Sequence, residues 1–217
     1  SGYVTTAKEQ FGRDMVLDLV KINKRIVPVG RLDMYTSGAL ILTNDGEFVN
    51  KLTHPSHEVD KTYNVTLKGI VTKEDIENLK NGVEIDDGYI TKPAKAKILK
   101  IDEEKKISRV QITIHEGKNR QVRKMCEAIG KRVLALHRCK IGNLDVKDLK
   151  LGEWRYLSRK EIENWKRINI SKIVSQENEI FSFSYSLLKN NTNYELWKLQ
   201  KKRRNYRKAV NTSENID

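Results

Sequence analysis

Residues 28–46 of the chain are PVGRLDMYTSGALILTNDG, and the fold is organised around them. An apolar run leads into Gly30, a polar loop with Arg31 and Asp33 follows, and Gly38 is predicted to end the loop. Residues 39–43 predict a short buried strand before a turn. Asp33 would therefore be held between two strand-like pieces, with glycines that allow close approach. An aspartate in such a place is most often only a turn residue, so other parts of the chain must decide its role.

The composition predicts a negatively charged partner. The 217 residues include 42 Lys and Arg against 29 Asp and Glu, which gives a net charge of +13. This excess suits a polyanion, above all a nucleic acid. With 38% hydrophobic residues, the chain can form one domain of good size with a real core. No apolar run of about 18 residues and no signal peptide is visible, so we expect a cytoplasmic protein without a membrane span.

Alternating and helical patterns predict an α+β fold. In residues 61–67 the side chains of Tyr63, Val65 and Leu67 share one face with Lys61, which is typical of a strand. Taken alone, Tyr63 is best interpreted as a core tyrosine. Further strands are predicted at 93–101, 109–115, 133–139 and 153–157, and helices at 14–20, 47–52, 72–80 and 158–165. The class is α+β, with a mostly antiparallel or mixed central sheet flanked by helices.

One more helix, predicted to end at Gly130, has the most informative charge pattern. Its apolar residues from Val122 onward fall at helical spacing, and Arg120, Arg123 and Lys124 are expected on the opposite side. Residues 118–140 hold eight Lys or Arg and a single acid. We interpret this side as a surface that grips phosphates, helped by free backbone amides of the first turn. A merely solvated helix face is the alternative.

The composition changes after about residue 167. Phe181, Phe183, Tyr185 and Leu187 alternate with polar residues and predict one added strand. Residues 198–208 contain seven Lys or Arg, which suit either a solvated tail or a non-specific RNA-binding arm. We therefore divide the chain into a domain at 1–167 and a basic C-terminal extension at 168–217 that is partly disordered or adds one strand.

Several kinds of site have no signature in the sequence. The four histidines lack cysteine partners at zinc spacing, and there is no phosphate loop, dinucleotide motif or nucleophile turn. Cys126 and Cys139 are predicted to be reduced thiols. We therefore expect neither a metal nor a cofactor, and Asp33 is the remaining candidate for covalent or acid–base chemistry.

Three segments together resemble the RsuA/RluB/RluE/RluF family of ribosomal RNA pseudouridine synthases. Residues 28–46 are similar to its signature loop, residues 61–63 (KTY) to its second motif and residues 116–125 (EGKNRQVRKM) to its third. Residues 52–56 (LTHPS) look most like the RluB branch, which acts on large-subunit RNA. The motifs are specific in combination, and the resemblance runs from Gly2 to about Trp165. Members usually carry a small RNA-binding domain before the catalytic one, which we expect to be absent from this chain.

The resemblance implies an enzyme that isomerises a specific uridine to pseudouridine in a basic cleft. Asp33 would be the nucleophile or base, Tyr63 would lie against the target base, and Arg123 would pair with Asp33. The partner would be ribosomal RNA or a ribosome-assembly intermediate, bound by a monomer without metal or cofactor. The residues implied in RNA binding are Arg31, Lys61, Lys118, Asn119, Arg120, Gln121 and Lys124.

Two other functions remain open at this point. A non-catalytic RNA-binding or ribosome-assembly protein would use the same basic surface, and Asp33 would only shape a loop. A structural basic protein of the ribosome is a more remote alternative. The joint presence of Asp33, Tyr63 and Arg123 favours the enzyme, because a binding protein has no need for all three in one cleft.

Overall fold

A mixed β-sheet contains both the segment at 28–46 and the strand predicted at 61–67, with one strand between them. The computed structural model describes residues 5, 15–53, 58–86, 88–167 and 180–185. The strands are β1 (Val27–Val29), β2 (Thr36–Thr43), β3 (Lys61–Lys68), β4 (Glu84–Ile85), β5 (Tyr89–Ile90), β6 (Lys95–Asp102), β7 (Ile107–Ile114), β8 (Arg132–Ile141), β9 (Leu144–Asp145), β10 (Trp154–Tyr156) and β11 (Ile180–Tyr185). The helices are α1 (Gly46–Thr53), α2 (Lys73–Asn81), α3 (Gln121–Ala128) and α4 (Arg159–Arg167), preceded by a 3-10 helix at Val16–Leu19.

The order of strands in the main sheet is β10-β11-β2-β8-β3-β7-β6, with β1 added on β2 and β9 on β8. Strands β2 and β8 pair in parallel, and the other pairs are antiparallel. The predicted α+β class with a mostly antiparallel mixed sheet is confirmed. Strand β8 lies between β2, which follows Asp33, and β3, which carries Tyr63, so its position sets the spacing between those two residues.

The main core lies between β3, β7 and helices α2 and α3. The alternation predicted for residues 61–67 is confirmed, because Tyr63, Val65 and Leu67 are buried and face this core. Helix α2 begins with a capping box, in which the Asp75 amide donates to Thr72 Oγ1 over 3.1 Å and the Thr72 amide donates to Asp75. These helices therefore cover one face of the sheet and hold β3 in register.

Three segments differ from the sequence predictions. The helix predicted at 14–20 is only the four-residue 3-10 helix. Strand β2 begins at Thr36, so Gly38 lies inside the strand rather than at the end of the loop, and all eight residues are buried. Alternate residues of β2 pack in two separate apolar clusters, which explains burial on both faces. The strand predicted to be buried at 133–139 is only partly buried, since Leu136 and Arg138 are buried whereas Leu134 is exposed.

The strand predicted after residue 180 is present as β11, which pairs with β10 and β2. The basic run at 198–208 lies outside the described residues, so the division at residue 167 remains a prediction.

Cys126 and Cys139 are free thiols, and burial raises the pKa of Cys126 to about 12. Within the described part of the chain, no helix has the length and apolar character that a bilayer span requires.

Close packing between β2 and β8 depends on Gly38. Its φ is +115°, and a Cβ built there would lie 2.1 Å from the carbonyl oxygen of Arg138. Both the backbone conformation and the contact exclude a side chain. By contrast, a Cβ built on Gly46 would have no heavy atom within 4 Å.

We therefore expect Gly38→Ala to lower the free energy of unfolding by about 3 kcal/mol or more, since the methyl group overlaps backbone atoms and φ is strained. Urea denaturation followed by circular dichroism measures the change. Gly46→Ala is the matched control and should stay within about 1 kcal/mol of wild type. Equal stability of the two variants would contradict this description of the β2–β8 contact.

Candidate active site

A cavity of about 910 Å³ opens between the loop before β2, the start of β3 and the segment before α3. Asp33 and Tyr63 both line it, although they lie far apart along the sequence. Arg123 does not line the cavity and lies behind Asp33. The structure therefore brings together the three residues that the resemblance singled out, with the aspartate and the tyrosine facing the open space.

Arg123 holds the carboxylate of Asp33 with two hydrogen bonds. Its Nε donates to Asp33 Oδ2 over 3.0 Å, and its Nη2 donates to Oδ1 over 3.4 Å. The arginine side chain is 9% exposed and the aspartate side chain 22% exposed. Such a two-point contact fixes the orientation of the carboxylate as well as its position. The pair implied by the resemblance is present.

The charge pattern alone gave the wrong surface for Arg123. It placed this residue with Arg120 and Lys124 on a solvent-facing side of the helix, but Arg123 is buried. Its Nη2 also donates to the carbonyl oxygen of Tyr35 over 2.7 Å and to Thr36 Oγ1 over 3.2 Å. Helical periodicity cannot show that the loop before β2 packs against this side of α3, so the pattern missed the partner.

These contacts keep Asp33 ionised. Burial by itself raises the pKa of Asp33, but hydrogen bonds from Arg123 and Thr36, the charge of Arg123 and the amide of Tyr35 outweigh it. The pKa of the carboxyl group therefore lies below its ordinary value. The stability that the ionised group contributes is present above the pKa of an unfolded aspartate and is lost as the pH falls through the lower, folded value.

Tyr63 and Lys61 come from the face of β3 that looks into the cavity. Tyr63 is 9% exposed, and the Lys61 ammonium donates to the carbonyl of Val59 over 3.0 Å. Burial lowers the pKa of Lys61, and the charge of Arg138 lowers it further, while Asp60 opposes both effects. A planar ring and a half-buried cation thus lie on the same wall.

Glu116 organises the loop that leads into α3. Its carboxylate accepts hydrogen bonds from Tyr89 Oη over 2.6 Å, from the Lys92 amide over 3.0 Å and from Gln121 Nε2. Gln121 is 3% exposed, and its side-chain oxygen accepts from the Lys118 amide over 3.1 Å. Gln121 therefore supports the loop rather than presenting its amide to solvent. Sequence reasoning gave no role to Glu116 or Tyr89, because no local pattern links them.

The other residues predicted to bind RNA fall into two groups. Arg31, Lys118, Asn119 and Arg120 are exposed and line the cavity. Lys124 is different, because its ammonium lies 2.5 Å from Asp86 Oδ2. Its charge is thus partly neutralised within the protein.

The predicted anion grip by backbone amides of the first turn of α3 is wrong for two of them. The amides of Gln121 and Arg123 already donate to the carbonyl groups of Lys118 and Arg120. The chain enters the helix through Arg120 in the left-handed conformation, with φ of 51°. Side chains, rather than helix amides, therefore supply the positive charge here.

The cavity wall carries more positive than negative charge. Its cations are Arg31, Lys61, Lys92, Lys118, Arg120 and Arg138, and its carboxylates are Asp33, Glu58 and Glu116. Such an excess attracts an anionic chain into the cleft. Among the described residues, no three His, Cys, Asp or Glu side chains converge closely enough to hold a metal ion.

Comparisons with known proteins point to one family. The family model for RNA pseudouridylate synthase matches residues 1–128. Ribosomal large subunit pseudouridine synthase B of Bacillus subtilis (strain 168) is 48% identical over 163 residues, which are 75% of this chain and 66% of that protein. Dual-specificity RNA pseudouridine synthase RluF of Escherichia coli (strain K12) is 39% identical over 162 residues, which are 74% of this chain and 53% of that protein. The chain thus spans just under two thirds of the first relative and about half of the second.

A solved structure is similar as well. The crystal structure of a pseudouridylate synthase matches 75% of this chain and 69% of its own, with a TM-score of 0.67 and 34% sequence identity. The comparisons of fold and of sequence therefore point to the same family.

We expect Arg123→Met to raise the pKa of Asp33 above that of an ordinary aspartate, because burial remains and the strongest opposing contacts are lost. Carbon-13 NMR titration of the aspartate carboxyl groups measures this pKa. Arg120→Met is the matched control, since it removes the same charge one turn away at the start of the same helix without touching Asp33. A pKa of Asp33 that stays below the ordinary value in Arg123→Met would contradict the assigned cause.

Proposed function

We propose that this chain, which belongs to the RNA pseudouridylate synthase family, isomerises uridine to pseudouridine in ribosomal RNA. The comparisons confirm the resemblance seen in the three motifs, including the branch that contains RluB. The observation that carries the proposal is the ionised Asp33, which is held by Arg123 on the wall of a cavity that Tyr63 also lines. A protein that only binds RNA would gain nothing from a carboxylate in that place, because it repels phosphates.

The reaction breaks the bond between N1 of uracil and C1′ of the ribose. The base turns, a bond forms between C5 and C1′, and the proton of C5 is lost while N1 gains one, so the atoms balance without a redox step. Asp33 acts as the nucleophile or base that starts the cleavage. Arg123 keeps it ionised and oriented, so that little reorganisation is needed when the substrate arrives.

Access to Asp33 requires that the target nucleotide leave its stack. The cavity of about 910 Å³ is large enough for one nucleotide. Tyr63, which lines the cavity, offers a ring against which the extruded uracil lies, and we assign to it the transfer of the proton of C5. Arg31, an exposed residue of the same loop as Asp33, would fill or hold the gap left in the RNA.

We propose large-subunit ribosomal RNA, free or in an assembly intermediate, as the substrate. The support is the large-subunit activity of the Bacillus subtilis relative together with the basic rim of the cavity. Lys61, Lys118, Asn119 and Arg120 contact the RNA backbone. Catalysis resides in residues 1–167 of a monomer in the cytoplasm, and the extension at 168–217 adds non-specific affinity.

The second candidate is a non-catalytic RNA-binding or assembly protein, which the basic cavity wall would also suit. The two functions differ in what the loss of Asp33 does. For a binding protein the change would leave function intact, whereas for the enzyme it would remove chemistry and spare binding.

We expect Asp33→Asn to lower the single-turnover rate of pseudouridine formation by at least about 10³-fold while RNA affinity stays within about threefold, since the amide keeps the shape without the charge. The assay uses unmodified bacterial large-subunit ribosomal RNA and mass spectrometry of its nucleosides. Asp148→Asn, which alters an exposed residue outside the cavity, is the control. Turnover by Asp33→Asn near the wild-type rate would rule out the assignment, and tight binding by an inactive wild type would favour the second candidate.

We also expect RNA affinity to fall steeply with salt, because cations of the rim displace counterions from phosphates. Arg120→Gln should reduce the slope of log K against log salt concentration by about 0.7, the value for one contact to a single strand. Filter binding between about 50 and 200 mM salt measures the slope. Arg159→Gln, at a side chain that is 94% exposed on α4, should leave it unchanged. A flat response of wild type would mean that the rim is only solvated.

A further inference from the structure

Arg138 is a buried cation that the proposed reaction does not yet use. This residue of β8 is 4% exposed and lines the cavity. Its Nε donates to the carbonyl of Ala39 over 2.8 Å, and its Nη1 donates to the carbonyl of Arg31 over 3.3 Å. Its Nη2 has no hydrogen-bond partner, and none of the ion pairs found among the described residues includes Arg138.

Burial of an unpaired guanidinium makes the free energy of folding less favourable. A buried guanidinium without a carboxylate loses its hydration and recovers only part of it through neutral carbonyl groups. An aliphatic side chain of similar size would fill the same volume at lower cost. Buried charges are normally paired, and an exception such as Arg138 is expected to serve the function of the site.

The two carbonyl groups show what Arg138 does. They belong to Arg31 and Ala39, which lie on either side of Asp33 in the sequence, so the guanidinium joins the two ends of the segment that carries the carboxylate. This contact is separate from the one made by Arg123, which holds the carboxylate and Tyr35 in the middle of that segment.

The backbone of Arg138 connects the same segment to the opposite wall. Its Cα is the register partner of Gly38 in β2 and of Tyr63 in β3. The carbonyl oxygen of Arg138 occupies the space that a Cβ on Gly38 would need. One residue therefore fixes the strand after Asp33 and the strand of Tyr63 relative to each other.

We propose that Arg138 is a positioning residue that closes the segment at 31–39 and keeps the Asp33 carboxylate on the wall of the cavity that Tyr63 also lines. It touches neither the carboxylate nor the uridine and acts through the two backbone carbonyl groups. The inference rests on the proposed function, since its purpose is the geometry of that reaction.

The test compares Arg138→Met, Arg138→Lys and the control Arg132→Met, which changes an exposed residue of the same strand. We expect Arg138→Met to lower the single-turnover rate by about 10- to 100-fold, as a small displacement of a reacting group does. RNA affinity should stay within about threefold, and the melting temperature should stay within about 3 °C or rise, because a desolvated charge is removed. Arg138→Lys, which reaches one carbonyl at a time, should have an intermediate rate, and Arg132→Met should match wild type.

Hydrogen exchange of the amides at 31–39 provides a second readout, measured on the protein without RNA. Arg138→Met should exchange faster there than wild type, whereas Arg132→Met should not. A rate for Arg138→Met within twofold of wild type, a melting temperature that falls in step with the rate, or unchanged exchange at 31–39 would each overturn the proposal. If the wild type forms no pseudouridine, the proposed function fails, but the exchange experiment still decides whether Arg138 closes the segment.

Discussion

The ion pair between Arg123 and Asp33 is the interaction on which the rest of the site depends. It links α3 to the loop before β2, two elements that are separated by 90 residues in sequence. The same guanidinium donates a hydrogen bond to the carbonyl of Tyr35. Arg123 therefore holds the loop through both the side chain of Asp33 and the backbone of Tyr35. Because burial favours the neutral carboxyl group, this cation is what keeps the charge on Asp33.

Charge is arranged in two layers around that pair. Arg123 lies behind the carboxylate and is paired with it, whereas Arg31 and Arg120 are exposed cations on the cavity wall. In the proposed function these exposed cations bind phosphates. Between these layers, Lys61 and Arg138 repel each other across the cavity wall, which lowers the pKa of the lysine.

The sequence predicted those parts of the structure that local periodicity controls. Alternation gave the buried face of β3, and helical spacing gave the helix at 72–80 that the structure has as α2. The burial of Arg123 could not be read from its helix, because the pattern shows only that the residue lies opposite Met125 and not what packs there. Only the resemblance to a family supplied its partner. Arg138 and Glu116 escaped notice because their partners are distant in sequence and their own neighbourhoods look like ordinary strand and loop.

The central claim is that an aspartate kept ionised by Arg123 acts directly on the uridine. The most direct measurement is the single-turnover rate of pseudouridine formation as a function of pH in the wild type. With the pKa of Asp33 held below its ordinary value, the rate should show no loss from protonation of this group as the pH falls from about 7 to about 5. A rate that falls over this interval, with a midpoint at the same pH as the midpoint of the Asp33 titration, would show that the carboxylate is not kept ionised. Such a result would contradict the account.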